Sequence, residues 1–201
     1  MNQLSRQVIA VAITGLLVWA LYFGSWLPLR KSQQYIQTRQ TEIKSLEQFN
    51  SVYDVVLGYQ SPVGQEEVVA NYLELIASII DEESKRENPN KEVIHALVGK
   101  AEEWALPIVE RRVGFSYSQI LFSFGGVYRS ATIVLQDQTY YQKAVDMYKL
   151  GLEFSPDRQV FLYSLFDTYR FGGDKENARK IGERIVEVYK DGGVAQILQN
   201  L

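Results

Sequence analysis

"QKAVDMYKLGLEFSPDRQVFLYSLFDTYRFGGDKENA", Gln142 to Ala178, decides how this chain folds. Its apolar residues recur at three- and four-residue steps, the period of helices that bury one face. Two punctuation points interrupt them, Ser155–Pro156 and Gly172–Gly173–Asp174. Ala144 and Ala178 stand 34 residues apart, each opening the second helix of a pair. Gly172–Gly173 ahead of a helix invites a phosphate-cradling reading. However, the loop lacks Gly-x4-Gly-Lys-Ser/Thr spacing and no strand precedes it. A cation loop needs several oxygen ligands at fixed steps, and only Asp174 and Glu176 are on offer. A turn explains every residue. Gly172 or Gly173 takes the left-handed conformation that closes one helix, and Asp174 caps the next. Glu176 adds negative charge at that helix's positive end.

The same period extends outward in both directions. "TYYQKAVDMYKLGLEFSP", "DRQVFLYSLFDTYRF" and "DKENARKIGERIVEVY" read as successive helices, with "VAQILQN" after Lys190–Gly193 folding back as a cap. Upstream, "SYSQILFSFGGVYRSATIVLQDQ" (116–138) is helical. A helix through Val93, Ile94, Leu97, Val98, Ala101, Trp104 and Ala105 is expected to kink or end at Pro107. Val68, Val69, Tyr72, Leu73, Leu75, Ile76, Ile79 and Ile80 form a broad apolar stripe that stops at "DEESKRENPNKE" (81–92). "GYQSPVG" (58–64) is a turn, and residues 30–64 hold a polar, stalk-like helix, an amphipathic helix and this connection. The expectation is an all-α chain of helix pairs joined by short turns.

At the front, "QVIAVAITGLLVWALYFGSWLPL" runs from Gln7 to Leu29 without a charge. Twenty helical residues rise about 30 Å, the thickness of a bilayer's hydrocarbon core. Trp19, Tyr22 and Trp26 fall where an aromatic belt meets headgroups, and no Ala-x-Ala cleavage site follows. The run reads as a retained single-pass membrane anchor. Arg30, Lys31, Arg39 and Lys44 follow it while only Arg6 and the amino terminus precede it, a bias slightly favouring a cytoplasmic C-terminal domain.

With 201 residues and a formal charge of −3, nothing in the composition draws the chain toward nucleic acid. Cysteine is absent and His95 is the sole histidine, so a His/Cys zinc site cannot be built within one chain. No metal site and no cofactor is expected. His95 has no Ser, Cys or Asp constellation beside it, and Asp81–Glu83 reads as a solvated carboxylate run. No acid pair falls on consecutive inner helices in the phase a helical glycosidase needs. The chain is therefore expected to have no catalytic activity.

From Ala144 onward, Tyr148 comes four residues later, Gly151 seven and Pro156 twelve. This cadence resembles the tetratricopeptide (TPR) repeat, and Leu165, Tyr169 and Ala178 continue it, with Gly173 and Asp174 at the elbow. The departures are Phe166 in place of a small residue, Gly182 in place of an aromatic one, Ile185 in place of Ala, and Lys190 in place of the closing Pro. They give the second unit the character of a terminal repeat. The preceding unit begins near Gly125, so the clearest repeats cover 125–190 within a helical domain of 65–201. The resemblance implies an α-solenoid whose first helices line a concave, protein-binding groove. Counted in the repeat's phase, that groove is lined by Val160, Tyr163, Asp167 and Arg170, and in the preceding unit by Gly126, Arg129, Ile133 and Gln136. Arg129, Tyr163, Asp167 and Arg170 are the residues expected to grip a peptide or helix. An array this short can also use its groove to hold its own flanking helix.

"LPLRKSQ", then "YQSPVGQEEV", then "LEFSPDRQVFLYSLFDTYRFGGDKENA" resembles the C-terminal tail of bacterial O-antigen ligase/polymerase-like membrane proteins. Those are multi-spanning glycan transferases, whereas this chain has a single span and none of their catalytic loops. The likeness implies a non-catalytic appendage or auxiliary subunit. Its partners would then be envelope-polysaccharide assembly proteins.

Overall fold

The computed structural model describes residues 3–43 and 45–201 and is helical throughout, with no strand among the described residues. Lys44, counted above among the charges flanking the apolar run, lies outside them. Two compact units divide the chain, Met1–Val68 and Val69–Leu201.

The first unit opens on a continuous helix of 38 residues, Gln3–Gln40, long and apolar enough to cross a membrane. It comprises α1 (Gln3–Leu21), a π-helical turn (Tyr22–Trp26) and α2 (Leu27–Gln40). No residue of α1 is buried. The widened turn has a local cause. Pro28 has no N–H, and its ring would meet the carbonyl of Gly24 in a regular helix; a π-turn opens that spacing. The polar stretch after Arg30 thus continues the apolar helix and breaks only at Thr41, which is extended (φ −75°, ψ 125°). Ser45 caps α3 (Leu46–Gly58) by accepting from Gln48 N at 3.1 Å. Phe49, Tyr53, Val56 and Leu57 are its buried face. Lys31, counted above among the charges that follow the apolar run, is buried, 2% exposed.

α4 (Gln65–Ser84) runs through the division between the units. The second unit continues with α5 (Lys91–Arg111), α6 (Tyr117–Leu135), α7 (Gln138–Phe154), α8 (Gln159–Phe171), α9 (Lys175–Tyr189) and α10 (Gly192–Gln199). From α5 to α10 each helix packs on the next, and α6 also meets α8. Glu74 of α4 accepts from Gln119 Nε2 at 2.9 Å and from the Ser123 hydroxyl at 3.3 Å, both on α6.

Ala144 and Ala178 are both 0% exposed, as close helix approach requires. Gly151 faces the Phe161 ring so closely that a Cβ there would lie within the ring's contact shell. Gly182, where the repeat carries an aromatic residue, instead receives Phe166 and Leu198, the latter from α10.

Several local expectations need correction. Of the two outcomes expected at Pro107, a kink or an end, the second does not occur: the proline lies inside α5, which continues to Arg111. The helix expected over 116–138 runs from Tyr117 to Leu135, so Gly125, the expected start of the preceding repeat unit, lies in its middle. Ala144 sits six residues into α7, and Ala178 three residues into α9, so the two second helices begin out of phase. Gln136 adopts a left-handed conformation (φ 55°) as the C-cap of α6, and so leaves the helix face assigned to it. Asp137 caps α7 by accepting from Thr139 N at 2.7 Å. Glu83 is buried rather than solvated, because its carboxylate accepts from Asn90 N at 2.8 Å and pairs with Arg86 at 2.8 Å.

Candidate functional site

The face assigned to partner binding is built by α8, with α6 behind it. The elbow after α8 forms by the residues that suggested it. Gly173 alone takes the left-handed conformation (φ 74°), while Gly172 is right-handed (φ −73°) and lies against the Tyr141 ring. Asp174 accepts from Asn177 N at 3.1 Å and Nδ2 at 2.7 Å, and those bonds hold its carboxyl below the usual carboxylate range.

On α8, Asp167 and Arg170 form an i,i+3 pair at 3.2 Å, with each side chain about half exposed. Arg170 also lies over the Phe166 ring, 5.4 Å from its centroid. Val160 is exposed at the start of the helix. These three side chains reach solvent.

Tyr163 is committed elsewhere. Its hydroxyl donates to Asp191 Oδ2 at 2.5 Å, and Asp191 Oδ1 accepts from Val194 N at 3.0 Å to cap α10. The bond to Asp191 pushes the tyrosine hydroxyl up to about 12 and pulls the Asp191 carboxyl down. Tyr163 also meets the Tyr189 ring edge-on, with centroids 6.2 Å apart. Tyr189 in turn donates to the Asp157 carbonyl, and Arg184 Nε and Nη2 reach Asp157 Oδ1 at 3.0 and 2.7 Å. α8, α9, α10 and the 155–158 turn are thereby tied into one end of the unit.

Arg129 is half-buried on α6, and its Nε is shielded from solvent with no hydrogen-bond partner among the described residues. It lies near the Tyr148 hydroxyl. Burial pushes that hydroxyl up to about 12, opposed by the Arg129 charge and a hydrogen bond with Ser164. Arg129 is thus set into the α6–α7–α8 junction, whereas Asp167 and Arg170 stand free of it.

The remaining repeat-defining residues are mostly interior. Tyr148, Gly151, Leu165 and Tyr169 are buried, while Pro156 is exposed at the turn. α6 contributes Gly126, half-buried, and Ile133, exposed.

A second polar cluster escaped the sequence reading. Glu102 of α5 accepts from the Tyr128 hydroxyl at 2.9 Å and from Lys143 Nζ at 2.6 Å. Lys143 lies over the Tyr128 and Tyr140 rings at 5.3 and 5.7 Å, and Tyr140 Oη is 3.0 Å from His95 Nδ1. Burial, with the Glu102 charge, pushes the Tyr128 hydroxyl far up. Every charge in this cluster has a partner, and it clasps α5, α6 and α7 together. Its residues are 45 positions apart at the extremes of the His95–Tyr140 bond, so no local pattern announces it.

No three metal-ligating side chains converge among the described residues. The chain matches no protein-family model, and no curated protein or solved structure matches it.

Proposed function

We propose that this protein is a single-pass membrane protein whose TPR-like helical unit binds and positions another protein, without catalysis of its own. The observation that carries the reading is one of pairing on a single chain. A 38-residue helix whose residues 7–26 are uncharged and exposed precedes helices that stack in sequence around the buried Ala144 and Ala178. Apolar surface of that extent has no place in water and fits a bilayer. Stacked helix pairs leave one helix of each pair on a shared face, which suits an extended peptide or a partner helix.

The mechanism is geometric. The anchor confines the unit to the membrane plane and raises its effective concentration beside other membrane proteins. Asp167, Arg170 and Val160 then offer a charged and apolar patch on a rigid helix. Tyr163, through Asp191, holds the end of the array closed. On the tail resemblance described above, the first partners to look for belong to envelope-polysaccharide assembly.

The test is performed on the full chain in its native membranes. Resistance to alkaline carbonate extraction is expected. So is a crosslinked partner that Asp167→Arg with Arg170→Glu abolishes without lowering the thermal midpoint. Release by carbonate, or an unchanged partner in the charge-reversed protein, would overturn the reading.

A further inference from the structure

Lys31 is an unusual residue for its place in the chain. It follows the uncharged run 7–29 by two positions, at the depth of lipid headgroups if that run spans the bilayer, yet it is 2% exposed. Its ammonium donates to the Tyr59 carbonyl at 2.9 Å and to Gln65 Oε1. Gln65 is itself fixed, donating from Nε2 to the Leu57 carbonyl at 3.1 Å. Gly64, with φ 87°, turns the chain beside the lysine stem, and a Cβ there would lie 3.7 Å from Lys31 Cδ. These two acceptors are neutral, so the ammonium keeps a formal charge that neither cancels. Burial lowers the proton affinity of the group, and the Glu67 charge opposes that effect. A buried cation held by neutral dipoles gains from an anion within reach.

A cavity of about 220 Å³ lies on this flank. Lys31, Ser32 and Tyr35 line it from α2, and Glu67 from the start of α4. Pro28, Val63 and Val68 supply apolar wall. Donors, an apolar wall and an acid therefore meet at one point, beside a helix emerging from its apolar run. The acid disfavours a bare phosphate and favours a headgroup that carries its own cation.

We propose that this cavity holds the headgroup of a zwitterionic ethanolamine phospholipid, its phosphodiester at Lys31, Ser32 and Tyr35 and its ammonium toward Glu67. The site rests on the reading of residues 7–29 as a membrane span. It makes the anchor a lipid-selective one, with the headgroup acting as a wedge between α2 and the 59–67 connection.

Native mass spectrometry of the full chain, released from nanodiscs of equal ethanolamine and glycerol phospholipids, tests it. The expected result is one retained ethanolamine phospholipid per chain. Retention should fall about tenfold or more in Lys31→Met, the loss of a charge-assisted bond. The double variant Ser32→Ala/Tyr35→Phe leaves the lysine cradle intact and should fall about two- to tenfold at an unchanged circular-dichroism melt. Should Lys31→Met fail to fold, the double variant decides alone. Equal retention of the two lipids, retention unchanged in the double variant, or full competition by inorganic phosphate would each overturn the proposal. Carbonate extraction of the same membranes separates the two levels. A chain that resists extraction but holds no lipid refutes this site alone, whereas one that is released refutes the span and the site together.

Discussion

The Tyr163 hydroxyl donates to Asp191 Oδ2 at 2.5 Å, so a residue placed by its spacing on a binding face instead locks α8 to the cap of α10. The tyrosine's folded value, about 12, exceeds its ordinary 10.0. Its stabilising contribution is therefore complete below about pH 10 and lost as pH rises through 12. Asp191 runs the other way: its lowered folded value gives stability present above 3.8 and lost as pH falls through the folded value. The thermal midpoint of the full chain in detergent should fall between pH 10 and 12 more steeply in wild type than in Tyr163→Phe. Parallel curves would remove the bond from the account.

At neutral pH, Tyr163→Phe should speed amide exchange in α10 (Gly192–Gln199) and leave α6 and α7 unchanged. Exchange that rises throughout the unit would mean the bond supports the whole array.

Gly151 and Gly126 separate packing from propensity. A Cβ on Gly151 would enter the buried Phe161 ring, so Gly151→Ala should cost about 1–3 kcal/mol through overpacking. Gly126 is helical with nothing within 4 Å of a built Cβ. Gly126→Ala should stabilise by about 0.5–1 kcal/mol. Denaturant midpoints of the two variants in the full chain check both signs at once.

Glu102 and Lys143 lie 41 positions apart and meet at 2.6 Å, with side chains 28% and 41% exposed. A double-mutant cycle with Glu102→Gln and Lys143→Met should give a coupling of roughly 1 kcal/mol, near the upper end for partly solvated pairs. Additivity within error would make the clasp incidental.

The helices themselves were legible because their cause is local. Apolar period, Asp174 as a cap and Gly173 as a left-handed closer are each fixed by a few neighbouring residues. The side-chain engagements were not. Tyr163 and Asp191 are 28 positions apart, and which of several tyrosines finds an acceptor depends on where α10 returns. Nothing next to Lys31 in sequence announces its burial, because its partners Tyr59 and Gln65 stand 28 and 34 positions away. Gln136 shows the smaller failure: helical phase assigned it a face, and the left-handed cap took it off that face.

The central claim, a membrane-tethered unit that holds a protein partner on the α8 face, is tested most directly by a photo-reactive amino acid placed at Asp167. The control places it at Glu183, exposed on α9. After irradiation of intact cells, the account predicts a discrete adduct at 167 in the membrane fraction and none at 183. No adduct at 167, or the same adducts from both positions, would contradict it.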